Sequence, residues 1–174
     1  MDAHYHKVMT ARDAIADTTP RLYFAYSGVL DRQAFEKWRT EHSYEFFNLP
    51  EGQVAQAVGV DLIFDFPSRW WGGRVAGLVD KKDAVIFGRL YEIPANNWPI
   101  VQHKEGVVSG MCIERTVTVM VDGKKLEATT FTTAPERASL DGEISPRYIE
   151  AMVRGARQSG LPEEYVQKLA QTKI

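Results

Sequence analysis

The sequence is poor in cysteine. Only one of its 174 residues is a cysteine, Cys112, so the chain cannot form an intrachain disulfide. Domains held by disulfides belong to oxidising compartments, so a reducing compartment is the simpler expectation. Apolar runs such as VIF at 85–87 are far shorter than the roughly 20 residues of a membrane-spanning helix. The start, MDAHYHKVMTARDAIADTTP, contains no apolar core of a secretory signal. We therefore expect a cytoplasmic protein with no membrane partner.

An excess of basic charge is also missing. Lys and Arg total 21 against 23 for Asp and Glu, and no basic block stands out, which argues against a nucleic-acid binder. The sequence lacks a phosphate-binding loop, a dinucleotide fingerprint, an HExxH motif and paired cysteines at metal-binding spacing. His4 and His6 could both touch a metal, but no further ligands complete a set, so no metal site is predicted. A small molecule or a protein is the expected partner.

The length is typical of one domain. Residues 1–20 are polar, end in TTP and carry at most a short helical pattern around Val8 to Ala16, so we treat them as an N-terminal extension. Residues 21–174 are predicted to form the single domain. Hydrophobic residues make up 44% of the chain and charged residues 25%, which are ordinary values for a globular protein.

The first half of the chain reads as strands interrupted by one helix. LYFAY at 22–26 predicts a short buried strand, and Asp31 is a candidate N-cap for a helix in RQAFEKWRTEH. The alternation of apolar residues over 54–66 predicts a half-buried strand that PSRWWGG breaks. RVAGLV, a polar DKKD turn and AVIFGRLYEI then predict a hairpin. A short helical segment should open at Pro94 and be cut at Pro99.

The second half has clearer boundaries. CIERTVTVMV and KKLEATTFTT flank Asp122-Gly123, a dipeptide suited to a tight hairpin turn. Ser145-Pro146 predicts a helix start, Gly160 its end, and Pro162 the start of a last helix. The whole predicts an α+β domain of about five or six mostly antiparallel strands, with two helices packed at the C-terminal end. The strands should curl at glycines, namely Gly72, Gly73, Gly77 and Gly88.

The strongest candidate for chemistry is Glu105, within HKEGVVSGM at 103–111. A tight turn flanked by glycine can hold a carboxylate partly out of water, which raises its pKa and suits a general base. Spacing alone favours an ordinary surface glutamate. Cys112 with His103 could form a thiol nucleophile and its base, although a small buried cysteine is the commoner case. Trp70 and Trp71 could line a pocket or belong to the core.

The order of several segments resembles the gamma-glutamylcyclotransferase-like family, which includes AIG2-like and gamma-glutamylamine cyclotransferase-like proteins. The family pattern has an aromatic strand running into Y-G-S-N or Y-G-S-L, then W-x-G-G and a hydrophobic strand with W-G or F-G. It continues with E-G-V-x-S-G-M-Y, S-P-x-Y and G-L-P-x-E-Y. The corresponding segments here are LYFAYSGVL (22–30), RWWGGRVAGL (69–78), VIFGRLYEI (85–93), KEGVVSGMC (104–112), SPRY (145–148) and GLPEEYVQKL (160–169).

This resemblance implies a small mixed, mostly antiparallel β-barrel with flanking helices and a small-molecule γ-glutamyl substrate. It implies that Glu105 is the general base, that a loop of Tyr26, Ser27, Gly28 and Val29 presents backbone amides to the substrate's α-carboxylate, and that Tyr148 adds a hydroxyl contact or packs the helix on the barrel. The α-amine would attack its own γ-carbonyl, forming 5-oxoproline and releasing an amine or amino acid. No metal or cofactor is implied. The protein would be a monomer or homodimer.

Two positions depart from the family pattern. Ser27-Gly28 inverts the glycine-serine order and Val29 replaces a small polar residue, so a positive φ at the first position would suit serine poorly. Cys112 replaces an aromatic hydroxyl. The leading hypothesis is therefore a γ-glutamyl cyclotransferase, an amide-cleaving acyltransferase or lyase. The alternatives are a non-catalytic protein that binds a small carboxylate on the same barrel, a related amide hydrolase with a changed substrate, and a thiol hydrolase using Cys112.

Overall fold

The computed structural model describes residues 17–174. Five strands and four α-helices follow one another along this part of the chain. They are β1 (Arg21–Ala25), α1 (Arg32–Glu41), β2 (Gln53–Ser68), β3 (Gly73–Ile93), α2 (Trp98–Lys104), β4 (Cys112–Val121), β5 (Lys124–Thr133), α3 (Pro146–Gln158) and α4 (Glu163–Ala170). Short 3₁₀ helices precede α1 and α2 at Gly28–Leu30 and Ala95–Asn97, and a third follows β5 at Pro135–Arg137.

The strands close into a barrel in the order β1-β3-β2-β4-β5. β1 and β5 are parallel where Tyr23 pairs with Thr129, and all other pairs of neighbouring strands are antiparallel. Closure removes the exposed strand edges that an open sheet would leave. The predicted α+β class and the mixed, mostly antiparallel barrel with flanking helices are both confirmed.

The predicted hairpin around DKKD is wrong. β3 runs in one direction from Gly73 to Ile93, and the reversal lies before it, at residues 69–72. The polar residues instead form a bulge: β2 and β3 pair as Val58 with Val85 and then as Val60 with Asp80, so residues 81–84 have no partner in β2. Residues suited to a turn also suit a bulge, which needs the same unusual backbone angles. Asp83 has a φ of 62° within it.

Local capping follows the sequence closely, with one exception. The Asp31 carboxylate accepts a hydrogen bond from the Ala34 amide at 3.2 Å and begins α1, as predicted. Asp122 and Gly123 adopt φ angles of 48° and 71°, which build the predicted tight turn between β4 and β5. The expectation that Pro99 cuts a helix is wrong. Pro99 lies in the first turn of α2, where no backbone donor is needed, so it starts the helix.

Residues 1–16 lie outside the described part of the chain. The predicted short helical pattern and the His4 and His6 pair therefore lie outside it too, and the division between an extension and one domain stays a prediction. None of the helices between residues 17 and 174 is long and apolar enough to cross a membrane.

Candidate active site

Glu105 is held at the end of α2 by the turn that ends this helix. Its amide donates to the Val101 carbonyl at 2.9 Å, and Gly106, with a φ of 78°, reverses the chain directly after it. The Gly106 carbonyl then accepts from the amides of Met111 at 2.9 Å and Cys112 at 3.3 Å. These bonds bring the start of β4 back beside the acid. The glycine is needed here because other residues rarely adopt a positive φ.

The Glu105 side chain meets a buried hydroxyl from β1. Tyr23 donates a hydrogen bond to the Glu105 carboxylate and is itself 1% exposed. The Tyr23 ring packs against Tyr91, Trp98 and Phe131, which fix where the hydroxyl points. The sequence analysis missed Tyr23, which lies 82 residues from its partner. Nothing in the local pattern of LYFAY distinguishes this tyrosine from a core residue.

The charges around Glu105 act in opposite directions on its pKa. Burial raises the pKa of the carboxyl, while the positive charge of Lys104 and the hydrogen bond from Tyr23 lower it, and the result is a raised pKa. Lys104 is half-buried, with its ammonium 5.5 Å from the centroid of the Trp38 ring. Burial lowers the pKa of Lys104, against the negative charge of Glu105. A carboxylate with a raised pKa accepts a proton more readily, as a general base requires.

The loop after β1 presents backbone amides that are not bonded to backbone carbonyls. The amides of Ser27, Gly28 and Val29 donate to no backbone carbonyl within the described residues 17–174, because the 3₁₀ helix begins at Gly28. Gly28 and Val29 are buried. The Tyr26 hydroxyl anchors the loop by donating to the Phe131 carbonyl at 2.7 Å. The Gly28 amide lies against the Tyr148 hydroxyl, which leaves the amides of Ser27 and Val29 available to an anionic group.

The inverted Ser27-Gly28 order has a structural reason. Ser27 has a φ of −107°, so the positive φ considered for this position is not needed. Gly28 instead allows close packing, because a Cβ at this position would lie 3.2 Å from Tyr148 Cε2 and 3.3 Å from Trp71 Cζ2, so these rings would have to shift slightly. The Trp71 and Tyr148 rings pack edge to face at 5.3 Å. Two aromatic rings therefore cover the loop where the glycine leaves room.

Tyr148 is placed by the start of α3. Ser145 caps this helix by accepting from the Tyr148 amide at 3.1 Å, and its hydroxyl donates to the Trp71 carbonyl at 2.7 Å. Burial raises the pKa of Tyr148, the nearby amides of Ala76 and Gly28 lower it, and the Glu105 charge raises it, with a net increase. The hydroxyl is thus neutral and close to both the loop and the acid. Tyr148 also packs α3 on the barrel, so both roles considered for it are structurally possible.

Cys112 lies near Glu105 but does not have the properties of a nucleophile. Burial and the negative charges of Glu105 and Asp65 raise the pKa of its thiol to about 12, so the thiolate is scarce near neutral pH. The candidate base His103 is engaged elsewhere, with its Nδ1 3.1 Å from the Tyr44 hydroxyl. These contacts argue against a thiol hydrolase.

The two tryptophans differ in position. Trp70 is 42% exposed, with the Lys37 ammonium 5.5 Å from the centroid of its ring, whereas Trp71 lies at the site.

A second acid, Asp65, also reaches the cluster and was missed. Its charge raises the pKa of Tyr26 and of Cys112, as the charge of Glu105 does. The alternation over 54–66 has apolar residues at even positions and Asp65 at an odd, polar one. A bulge in β2 at this residue changes the direction of the side chain, and a bulge is not readable from alternation alone.

A separate groove of about 400 Å³ lies beside the same loop. Val29, Leu30 and Tyr91 line it, together with residues 48–52 and the end of α3, but Glu105 does not. Within residues 17–174, no group of three or more His, Cys, Asp or Glu side chains is arranged to hold a metal ion.

Comparison with known proteins agrees with this architecture. Residues 85–169 match the AIG2-like family. The gamma-glutamylcyclotransferase of Bos taurus is 29% identical over 158 residues, covering 85% of this chain and 76% of that protein. The Homo sapiens gamma-glutamylcyclotransferase is 29% identical over 108 residues, covering 59% of this chain and 53% of that protein. A solved gamma-glutamyl cyclotransferase structure has the same fold, with a TM-score of 0.71 at 24% identity over 88% of each chain. The chain is therefore similar to the AIG2-like family over residues 85–169 and to the gamma-glutamylcyclotransferases of Bos taurus and Homo sapiens, and it has the fold of a solved gamma-glutamyl cyclotransferase.

Proposed function

We propose that this protein is a γ-glutamyl cyclotransferase, which cleaves a γ-glutamyl amide by intramolecular attack of the α-amine. The observation that carries the proposal is the half-buried Glu105, with a raised pKa, which accepts a hydrogen bond from the Tyr23 hydroxyl, together with the loop amides that donate to no backbone carbonyl of residues 17–174. The curated relatives named gamma-glutamylcyclotransferase support the class of reaction.

Glu105 would act first as base and then as acid. The substrate's α-ammonium gives a proton to the carboxylate, and the free amine attacks the γ-carbonyl carbon. A C–N bond forms in a five-membered ring, and the carbonyl oxygen carries negative charge in the tetrahedral intermediate. The bond to the leaving nitrogen then breaks as Glu105 returns the proton to that nitrogen. Glu105 takes the second proton from the attacking nitrogen, which becomes the lactam N–H, and passes it to the released amine. The products are 5-oxoproline and the amine as its ammonium, and no water is consumed.

The Tyr26–Val29 loop would fix the substrate's other end. The amides of Ser27 and Val29 suit the α-carboxylate, and the Gly28 amide lies against the neutral Tyr148 hydroxyl. Holding the carboxylate near the acid bends the glutamyl chain towards ring closure. Because nucleophile and electrophile are in one molecule, this positioning supplies much of the acceleration. The amine that leaves is not specified by these contacts.

The test is the formation of 5-oxoproline from a panel of γ-glutamyl amines and γ-glutamyl dipeptides. Glu105→Gln should lower kcat by about 100-fold or more, since a general base contributes about 10²–10⁴-fold. The matched control is Glu127→Gln, an exposed glutamate on β5, which should behave like the wild-type protein. Turnover that survives Glu105→Gln would contradict the assigned base. Thermal stabilisation by these compounds with no product would instead favour the non-catalytic carboxylate-binding protein.

A further inference from the structure

A β-bulge in the pairing of β2 with β3 sets the direction of the Asp65 side chain. Phe64 pairs with Ala76 and Phe66 pairs with the adjacent Val75, so Asp65 is an extra residue with no partner in β3. Such a bulge re-aims the side chain of the inserted residue. Here the Asp65 carboxylate reaches across to β5, where it accepts a hydrogen bond from the Thr133 hydroxyl at 2.6 Å.

The barrel leaves space for this contact. A Cβ on Gly77 would lie 2.6 Å from the Thr133 hydroxyl oxygen and 2.7 Å from Asp65 Oδ1, closer than any side chain tolerates. The absence of a side chain at Gly77 is therefore a condition for the Asp65–Thr133 pair. Thr133 in turn lies directly opposite Cys112 in the β4–β5 ladder.

This pairing connects Asp65 to Glu105. The Cys112 amide donates to the carbonyl of Gly106, the residue after Glu105, so the two acids flank one short stretch of β4 and β5. Asp65 and Glu105 both act on Tyr26 and Cys112, which places both charges in the same neighbourhood. The family pattern has a tyrosine where this chain has the smaller Cys112.

Asp65 has no cationic partner in the described part of the chain. Its carboxylate is half-buried, and no Lys, Arg or His nitrogen within residues 17–174 lies within 4.0 Å of it. Lys104 acts on Glu105 and Cys112, and Asp65 is not among the charges acting on that lysine. A carboxylate partly withdrawn from water without a counter-ion costs folding free energy, which a bound cation would offset.

We propose that Asp65 is a substrate-binding residue that accepts hydrogen bonds from an ammonium group of the γ-glutamyl substrate. This inference rests on the proposed function, because it takes the substrate to be a γ-glutamyl amide. Every such substrate carries an α-ammonium, and some carry a second ammonium on the leaving amine. Asp65 holds this group by charge and hydrogen bonding, while Glu105 exchanges the proton.

The experiment measures binding separately from turnover. Calorimetry measures the Kd of three ligands in a Glu105→Gln background. The first is γ-glutamyl-ethylamide, and the second is glutaric acid monoethylamide, which lacks the α-amine. The third is the γ-glutamyl amide of 1,4-diaminobutane, which carries a second ammonium. Adding Asp65→Asn keeps an oxygen for Thr133 and removes the charge. Loss of a charged hydrogen bond should raise the Kd of ammonium ligands by about 10- to 100-fold. The Kd of glutaric acid monoethylamide should not change.

The ligands separate the two sources of the ammonium. Weaker binding of both γ-glutamyl amides assigns Asp65 to the α-ammonium, and weaker binding of the diaminobutane amide alone assigns it to the leaving end. An unchanged Kd for every ligand, an equal loss for glutaric acid monoethylamide, or no binding of the ammonium ligands to the Glu105→Gln protein would overturn the proposal. Wild-type protein that binds γ-glutamyl-ethylamide without forming 5-oxoproline contradicts the proposed function and leaves the role of Asp65 open to the same measurement.

Two further variants serve as a control and as a second test. Asp61→Asn is the matched control, since Asp61 is on the same strand but pairs with Lys81 at 2.7 Å away from the cluster, and the Kd values should stay unchanged. Thr133→Val keeps the Asp65 charge but removes the bond that orients it, so the Kd should rise only a few-fold. Thermal unfolding of each variant identifies any loss of folded protein, and Thr133→Val is read alone if Asp65→Asn does not fold.

Discussion

Substitution of Gly155 by alanine should damage the proposed substrate loop more than the stability of the fold. Gly155 lies in α3, and a Cβ there would be 2.5 Å from the Asp31 amide nitrogen and 2.7 Å from the Leu30 carbonyl carbon. Carbon atoms pack best at about 3.5–4.0 Å, and these are backbone atoms, so the end of the loop must move by about 1 Å. A displacement of this size can reduce catalysis by about 10²-fold. We therefore expect kcat/KM for 5-oxoproline formation to fall by about 10- to 100-fold.

The stability change should be small, because two effects oppose each other. Alanine favours a helix over glycine by about 1 kcal/mol, and overpacking costs about 1–3 kcal/mol. The net loss of about 0–2 kcal/mol corresponds to a fall in Tm of up to about 8 °C. Glu150→Ala, on the exposed face of the same helix, is the control for a helix substitution and should change neither quantity. A Gly155→Ala protein with wild-type kcat/KM would refute the link between α3 and the site.

Three further outcomes follow from the charges at the site. Glu105→Gln should be more stable than wild type at neutral pH, because the raised pKa of the folded carboxyl makes its ionised form unfavourable. Measurements of Tm against pH should show this gain in stability shrinking as pH falls and vanishing below the ordinary glutamate pKa. A gain that does not change with pH would contradict this reasoning. Tyr23→Phe removes a bond that lowers the Glu105 pKa, so the acidic limb of the kcat/KM profile should move to higher pH; an unmoved limb would exclude Glu105 as the titrating base. Cys112→Ala should retain turnover, and the native thiol should react with iodoacetamide far more slowly than free cysteine at neutral pH. Fast alkylation with loss of activity would support the thiol hydrolase instead.

The parts of the fold that sequence predicts are those decided by local chemistry. Asp122-Gly123 makes its turn because the two residues accept positive φ angles, and Asp31 caps α1 through an amide three residues ahead. The same kind of local signal misleads at 80–83. Polar residues there permit either a reversal or a bulge, and the choice depends on pairing with the distant β2. Local propensity does not contain that information.

The site shows the same limit more sharply. Glu105 was selected through a resemblance spread over the whole chain, since its own surroundings in sequence fit a surface turn. Its partner Tyr23 becomes identifiable only when the barrel closes and brings β1 beside the end of α2. Asp65 is the single inserted residue of a bulge in β2, and alternation does not reveal that bulge. Residues that act at a distance in sequence require the register of the sheet, and the register is a property of the folded chain.

The two departures from the family pattern have different structural weight. At the loop, the change to Ser27-Gly28-Val29 alters side chains, yet the amides that face no carbonyl are backbone groups and do not depend on side-chain identity. Recognition of an α-carboxylate is therefore compatible with the altered loop. At Cys112 the change replaces an aromatic hydroxyl with a smaller thiol, whose pKa is raised by burial and by the charges of Glu105 and Asp65. We infer that any change in specificity arises beside Cys112 and concerns the size and charge of the group that lies there.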